Sequence, residues 1–213
     1  MGDDESAALP DHGEVWYVSY GSNMSAARLA AYIEGGAPPG GSRTNPGARD
    51  RSLPRRTIAV DLPGALYFAG RSPQWGGGVA FYDHHAREPG AGGPTAARAY
   101  LVTAGQFADI AAQEMYRIPQ AGDPIEEIVL GGIDGGVHRA GPGRYETLVE
   151  VGRLEGAPLL LFTAPDGIHH VEHAKPSAAY LAMLAQGLKE SRQWDERDVA
   201  AYFSRLGVQA SVG

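Results

Sequence analysis

The spacing of hydrophobic positions changes several times along the chain, and each change marks an element. Val15-Trp-Tyr-Val-Ser-Tyr20 is an apolar, β-branched run that predicts a buried strand. It breaks at Gly21, and Leu29, Tyr32 and Ile33 then follow at helical spacing, predicting a helix near Ser25–Glu34 that stops at Gly35-Gly36. Short strands are predicted at Thr57–Asp61, Ala65–Ala69 and Gly78–Tyr82, split by Pro63-Gly64 and Ser72-Pro73-Gln74-Trp75. Gly76-Gly77-Gly78 beside Trp75 signals a bulge, or a close approach by other backbone or a ligand. After the loop 83–94, Ala96–Val102 reads as another strand.

Thr103 with Gln106 three residues on forms a capping box, opening a helix whose apolar face carries Phe107, Ile110 and Ala111. Residues 118–143 are rich in turns around an amphipathic segment, Ile125, Ile128 and Val129. Tyr145–Val151 and Leu159–Thr163 read as closing strands. A helix from Pro176-Ser177 buries Tyr180, Leu181, Leu184 and Leu188, and one from Asp195 buries Val199, Tyr202, Phe203 and Leu206 before Gly207. With strands in the middle and helices around them, the expected class is α+β: a mixed β-sheet or small β-barrel flanked by helices. A single domain is expected over 14–207, with a flexible acidic tail at 1–13 and a C-terminal tail at 208–213.

Composition narrows the function classes. The 213 residues are 43% hydrophobic and 20% charged, which suits one globular domain with a real core. No apolar run approaches the roughly 20 residues that span a bilayer, and Met1-Gly-Asp-Asp-Glu-Ser6 is acidic where a secretory signal is basic. A cytoplasmic protein with no membrane partner is expected. A net charge of -7 argues against nucleic-acid binding, which needs cationic surface. The absence of cysteine removes disulfides, thiolate nucleophiles and Cys-ligated metals. The 35–56 loop is long and holds Arg43, Arg49, Arg51, Arg55 and Arg56. One or two of these are candidate ligands for an acidic substrate, and the others fit a solvated basic loop.

Two features carry candidate chemistry. The turn Tyr20-Gly21-Ser22-Asn23-Met24 offers backbone N–H groups beside a helix N-terminus, a cradle for a carboxylate or a developing oxyanion. Read without chemistry, it is an ordinary strand–helix connection. Glu114 continues the apolar face of the helix that Thr103 opens. If that position is partly buried with no cation beside it, the carboxyl can both take and give a proton near neutral pH. If the helix frays there, Glu114 turns to solvent or pairs with Arg117.

Taken in order, these residues resemble the γ-glutamylcyclotransferase family and its plant-type avirulence-induced relatives, with a bacterial member expected. Tyr20-Gly-Ser-Asn-Met24 matches the family's N-terminal hallmark. Pro63-Gly-Ala-Leu-Tyr-Phe68 followed by Trp75-Gly-Gly-Gly-Val-Ala-Phe81 resembles its second block. Ala99-Tyr-Leu-Val-Thr103 with the helix to Gln113-Glu114 resembles the block bearing the catalytic glutamate. Gly143-Arg-Tyr145 and Pro176-Ser-Ala-Ala-Tyr180 through Gly187 resemble the last two. The chain departs from the family at Met115-Tyr116-Arg117, where Glu-Gly is common, and in the 35–56, 83–94 and 118–143 segments.

The resemblance implies intramolecular aminolysis of a γ-glutamyl amide, releasing an amine and 5-oxoproline. Glu114 is then the general acid/base, and backbone N–H groups of Gly21–Met24 hold the oxyanion. Tyr20, Ser22, Asn23, Trp75, Tyr145 and Tyr180 line the substrate pocket. No metal or cofactor is called for, and a homodimer is a candidate assembly. Three other readings stand beside this one. His169-His170-Val-Glu172-His173 with Asp83-His84-His85 fits a metal-dependent amide hydrolase or deacetylase, although both clusters read as exposed loops. A non-catalytic module that binds a γ-glutamyl metabolite is the second. The third is a pathway enzyme that removes a γ-glutamyl protecting group from a natural product.

Overall fold

The computed structural model describes residues 13–38, 41, 43–86 and 93–208. The tails expected at 1–13 and 208–213 lie almost entirely outside these residues, as does half of the 83–94 loop.

The first strand, β1 (Glu14–Ser19), occupies the middle of a six-stranded mixed sheet. It pairs antiparallel with β5 (Thr95–Thr103), with Tyr17 opposite Tyr100, and parallel with β8 (Ala157–Thr163), with Tyr17 opposite Leu160. Strand β2 (Thr57–Leu62) flanks β5 at one edge. Strands β7 (Thr147–Leu154) and β6 (Val137–Arg139) extend the sheet beyond β8. All but the first residue of β1 are buried, as its unbroken apolar run requires.

The α+β class is therefore present, but the sheet is open. Edge strands β2 and β6 do not pair with each other, so the barrel alternative does not describe it. All three residues of β6 are exposed, so it carries no apolar alternation from which a strand could be predicted. The last two predicted strands hold with shifted ends, and Tyr145 falls just before β7.

A separate hairpin, β3 (Ala65–Ala69) and β4 (Val79–Asp83), packs beside the sheet. The glycine triplet serves its attachment. Gly78 N–H donates to Lys175 O at 2.8 Å, and a Cβ on Gly78 would lie 2.2 Å from Ala174 O. Backbone approaches backbone there, which only glycine permits.

Four of the five described α-helices start on a capping side chain. The exception is α1 (Ala26–Ile33), which follows the turn. The capping box of α2 (Ala104–Glu114) is complete, with Gln106 N–H on Thr103 Oγ1 and Thr103 N–H on Gln106 Oε1, both at 3.1 Å. Asp123 with Pro124 starts α3 (Pro124–Gly131), where the amphipathic segment lies. Ser177 caps α4 (Ala178–Arg192) and Asp195 caps α5 (Glu196–Arg205).

The arginine-rich loop is held to α2 by buried polar side chains of that helix. Arg49 pairs with Asp109 at 2.9 Å and with Glu126 of α3 at 2.6 Å. Gln113 accepts from Gly47 N–H at 3.3 Å, and Gln106 donates to Ser52 O at 2.7 Å. Arg55 and Arg56 pair with Glu14 and Glu155. Most of the loop's cations are therefore structural.

Candidate active site

The site is built where β1 ends. Ser22–Met24 forms one turn of 3-10 helix between β1 and α1. Its carbonyls are tied down from β5: the Tyr100 hydroxyl donates to Asn23 O and Met24 O, both at 2.9 Å, and Arg98 donates to Met24 O at 3.0 Å. The Met24 N–H is used within the turn, on Gly21 O at 3.0 Å. The N–H groups of Gly21 and Asn23 have no acceptor among the described residues. That of Ser22 faces the Tyr180 hydroxyl.

Glu114 ends α2 and reaches this turn. Asn23, itself buried, donates through Nδ2 to Glu114 Oε1 and to the Tyr17 hydroxyl, each at 3.0 Å. Arg117 does not neutralise it, because that guanidinium bonds Asp123 at 3.4 Å and Glu146 at 3.1 Å. The Asn23–Glu114 contact joins positions 91 residues apart and defines one wall of a cleft enclosing about 680 Å³, counting its open mouth.

Tyr20, Gly21, Ser22, Asn23, Trp75, Glu114, Tyr145 and Tyr180 all line this cleft. Met24 does not: it is fully buried beneath the turn, against Gly187 of α4.

The tyrosines are anchored through backbone. Tyr20 donates to Phe162 O at 2.8 Å and Tyr145 to Ala80 O at 3.1 Å, while Tyr180 accepts from Ala80 N–H at 3.1 Å. Burial pushes the Tyr180 phenol up to about 12, and the charge of Glu114 adds to the shift. Tyr17, Tyr32 and Tyr145 are raised further, again mainly by burial and then by neighbouring charge or phenols. These phenols stay neutral at physiological pH, so the charges in the cleft are those of Glu114 and its arginines.

Three arginines line the cleft. Arg28 is buried, with 4% of its surface exposed. At the mouth, Arg43 and Arg144 stack on the Tyr116 ring, their Cζ atoms 4.1 and 5.5 Å from its centroid. Sequence reasoning missed Arg28 and Arg144. For Arg28 the signal was the one that exposed Glu114: a charged residue on a buried helix face, four residues before Tyr32.

The histidine clusters lie elsewhere, and among the described residues no histidine lines the cleft. His173 Nε2 lies 2.8 Å from Ile168 O, and the rings of His84 and His85 sit 3.9 Å apart. Among the described residues, no three His, Asp or Glu side chains come close enough to hold an ion. Asp83 instead organises this region. Burial acts to raise its carboxyl, but backbone N–H groups of Ile168, His85 and Ala86 outweigh that and hold it below the ordinary aspartate value.

A depressed native value contributes stability above the unfolded value that disappears as pH falls through the native one. Asp83→Asn is therefore expected to destabilise the fold by about 1–2 kcal/mol at pH 7. That difference should begin to shrink near about pH 4 and close only below the depressed native value. Urea denaturation of both proteins across this range checks it.

An open mixed sheet thus delivers a turn and a carboxylate to one cleft in an α+β protein. No family model matches the sequence. Over 206 residues, 90% of this chain, it is 30% identical to histone deacetylase 5 of Arabidopsis thaliana. The chain spans only 30% of the length of that curated relative. Among solved structures, it shares its fold with the human uncharacterized protein loc79017, at a TM-score of 0.50 and 18% identity, covering 92% of this chain and 88% of the other. A structure described as a gamma-glutamyl cyclotransferase aligns at a TM-score of 0.49 and 16% identity, with the same coverage. No described helix is long and apolar enough to cross a membrane.

Proposed function

We propose that the protein is a γ-glutamylcyclotransferase-type enzyme that closes a γ-glutamyl amide on itself, releasing an amine and 5-oxoproline. The observation that carries this reading is the Asn23–Glu114 hydrogen bond, which holds a carboxylate with no ion-pair partner among the described residues against the turn with open amides. The five ordered sequence blocks support it independently.

In this chemistry the substrate's own α-amine attacks its γ-carbonyl carbon. Ring closure of a tethered nucleophile reaches effective molarities on the order of 10⁵ M or more, so orientation needs little help. Proton transfer and charge remain. Glu114 takes a proton from the attacking nitrogen and returns it to the leaving nitrogen as the C–N bond breaks. The oxygen that gains charge meets N–H groups of Gly21, Ser22 and Asn23, fixed beforehand because Tyr100 and Arg98 hold the turn's carbonyls. Met24 N–H is excluded from that role, being spent on Gly21 O. Trp75, Tyr145 and Tyr180 shape the walls.

The plant relative's name refers to a protein of which this chain matches 30%, and the described residues lining the cleft include no histidine with which to assemble a deacetylase metal site. The test is to incubate the protein with a panel of γ-glutamyl amides and measure 5-oxoproline by mass spectrometry. Release of 5-oxoproline with the free amine is expected. Free glutamate as the product would replace cyclisation by hydrolysis and end the proposal.

A further inference from the structure

We infer that Arg28 is the receptor for the substrate's α-carboxylate, and that Arg28 and Glu114 together read a zwitterionic amino-acid head group. The inference rests on the cyclotransferase reading but assigns a residue and a ligand chemistry that the reading does not need.

Arg28 is only 4% exposed and makes no ion pair among the described residues. Its Nη2 donates to the Tyr32 hydroxyl at 2.7 Å and to Gln74 Oε1 at 3.2 Å, both neutral acceptors. Its Nε and Nη1 are buried without any partner. The Tyr32 ring under its Cζ, 4.4 Å from the centroid, is its other support. A guanidinium taken out of water without a counter-ion is costly, and the usual solution is a carboxylate on its planar fork. The described residues provide none, although Arg49, Arg98 and Arg117 all have carboxylate partners. The missing anion has to come from outside, and the cleft that Arg28 lines is where it enters.

Glu114 supplies the second half. It also has no ion-pair partner among the described residues, and its charge and that of Arg28 both act on Tyr32 and Tyr180, with opposite effects on those phenols. Arg28 and Glu114 thus face the same two rings without pairing with each other. An α-amino acid head group bears its carboxylate and its amine on one carbon, so it fits between them. With the carboxylate on the open Nη1, the amine is turned toward the group that must deprotonate it. Gln74, whose Nε2 is likewise buried and unpartnered, sits beside Arg28 as a further donor. Arg43 and Arg144 are less suited, being only half-buried and already stacked on Tyr116.

The test uses L-γ-glutamylethylamide and its α-carboxamide counterpart, which differ only in the carboxylate. Calorimetry is done in the Glu114→Gln background to prevent turnover. The acid is expected to bind at least about 30-fold more tightly than the carboxamide, as for a buried, hydrogen-bonded charge pair. Adding Arg28→Met should bring the two ligands within about 3-fold, with Arg28→Lys between. Arg28→Met alone should melt no lower than the parent, since the buried charge it removes has no carboxylate partner among the described residues. Equal affinity of the Glu114→Gln protein for both ligands, or no binding of the acid, overturns the inference. So does a lowered melting temperature in Arg28→Met with the acid preference intact, because that outcome makes Arg28 structural. If no γ-glutamyl amide yields 5-oxoproline but the Arg28-dependent preference persists, the carboxylate site stands and the cyclotransferase reading falls.

Discussion

Glu114→Gln is expected to slow 5-oxoproline release by about 10²–10⁴-fold, the usual contribution of a positioned general acid/base. The substitution keeps the shape of the side chain and leaves an oxygen to accept from Asn23, so the contact now 3.0 Å long is retained. What it removes is the ability to take up a proton from the attacking amine. Loss should therefore appear chiefly in kcat, with the melting temperature nearly unchanged. A variant as active as the parent would remove Glu114 from the chemistry. A variant that is inactive but also unfolded would be uninformative, so the melting curve has to be measured on the same sample.

Gly187→Ala is expected to disable the enzyme from the far side of the turn. Glycine inside a helix normally gives up about 1 kcal/mol to alanine, so this change in α4 would ordinarily stabilise. Here the added Cβ would lie 2.4 Å from Met24 Cβ, 2.6 Å from the Met24 carbonyl carbon and 2.7 Å from Ser25 N. Two of those three atoms are backbone, so no flexible side chain can move aside. Overpacking of this kind costs about 1–3 kcal/mol. The relief available is to push the turn, and a shift near 1 Å of a positioning element costs about 10²-fold in rate. Both the melting temperature and kcat should fall together. An unchanged kcat would mean that the turn's position does not matter to the reaction.

These two residues were legible in the sequence to different degrees. Glu114 stood out because a carboxylate on an apolar face contradicts the pattern around it. Gly187 closed the last sequence block, but nothing near it in the chain says that Met24 lies against it. Arg28 broke the pattern of α1 just as Glu114 broke that of α2. It escaped notice because Leu29, Tyr32 and Ile33 were enough to define the helix without it.

The elements themselves were set by the sequence alone. Hydrophobic period, the Thr103–Gln106 box and the caps at Ser177 and Asp195 act over a few residues, and a reader of the chain sees both partners at once. Only the tertiary structure decided what lies between elements. It left the sheet open, added the fully exposed strand β6, pinned Arg49 onto Asp109 and hung the hairpin from the 173–176 segment through Gly78. It also made the site, because Asn23 meets Glu114 across 91 residues only once β1 is seated between β5 and β8. That seating depends on strand register and long-range burial, which no local window of the sequence records.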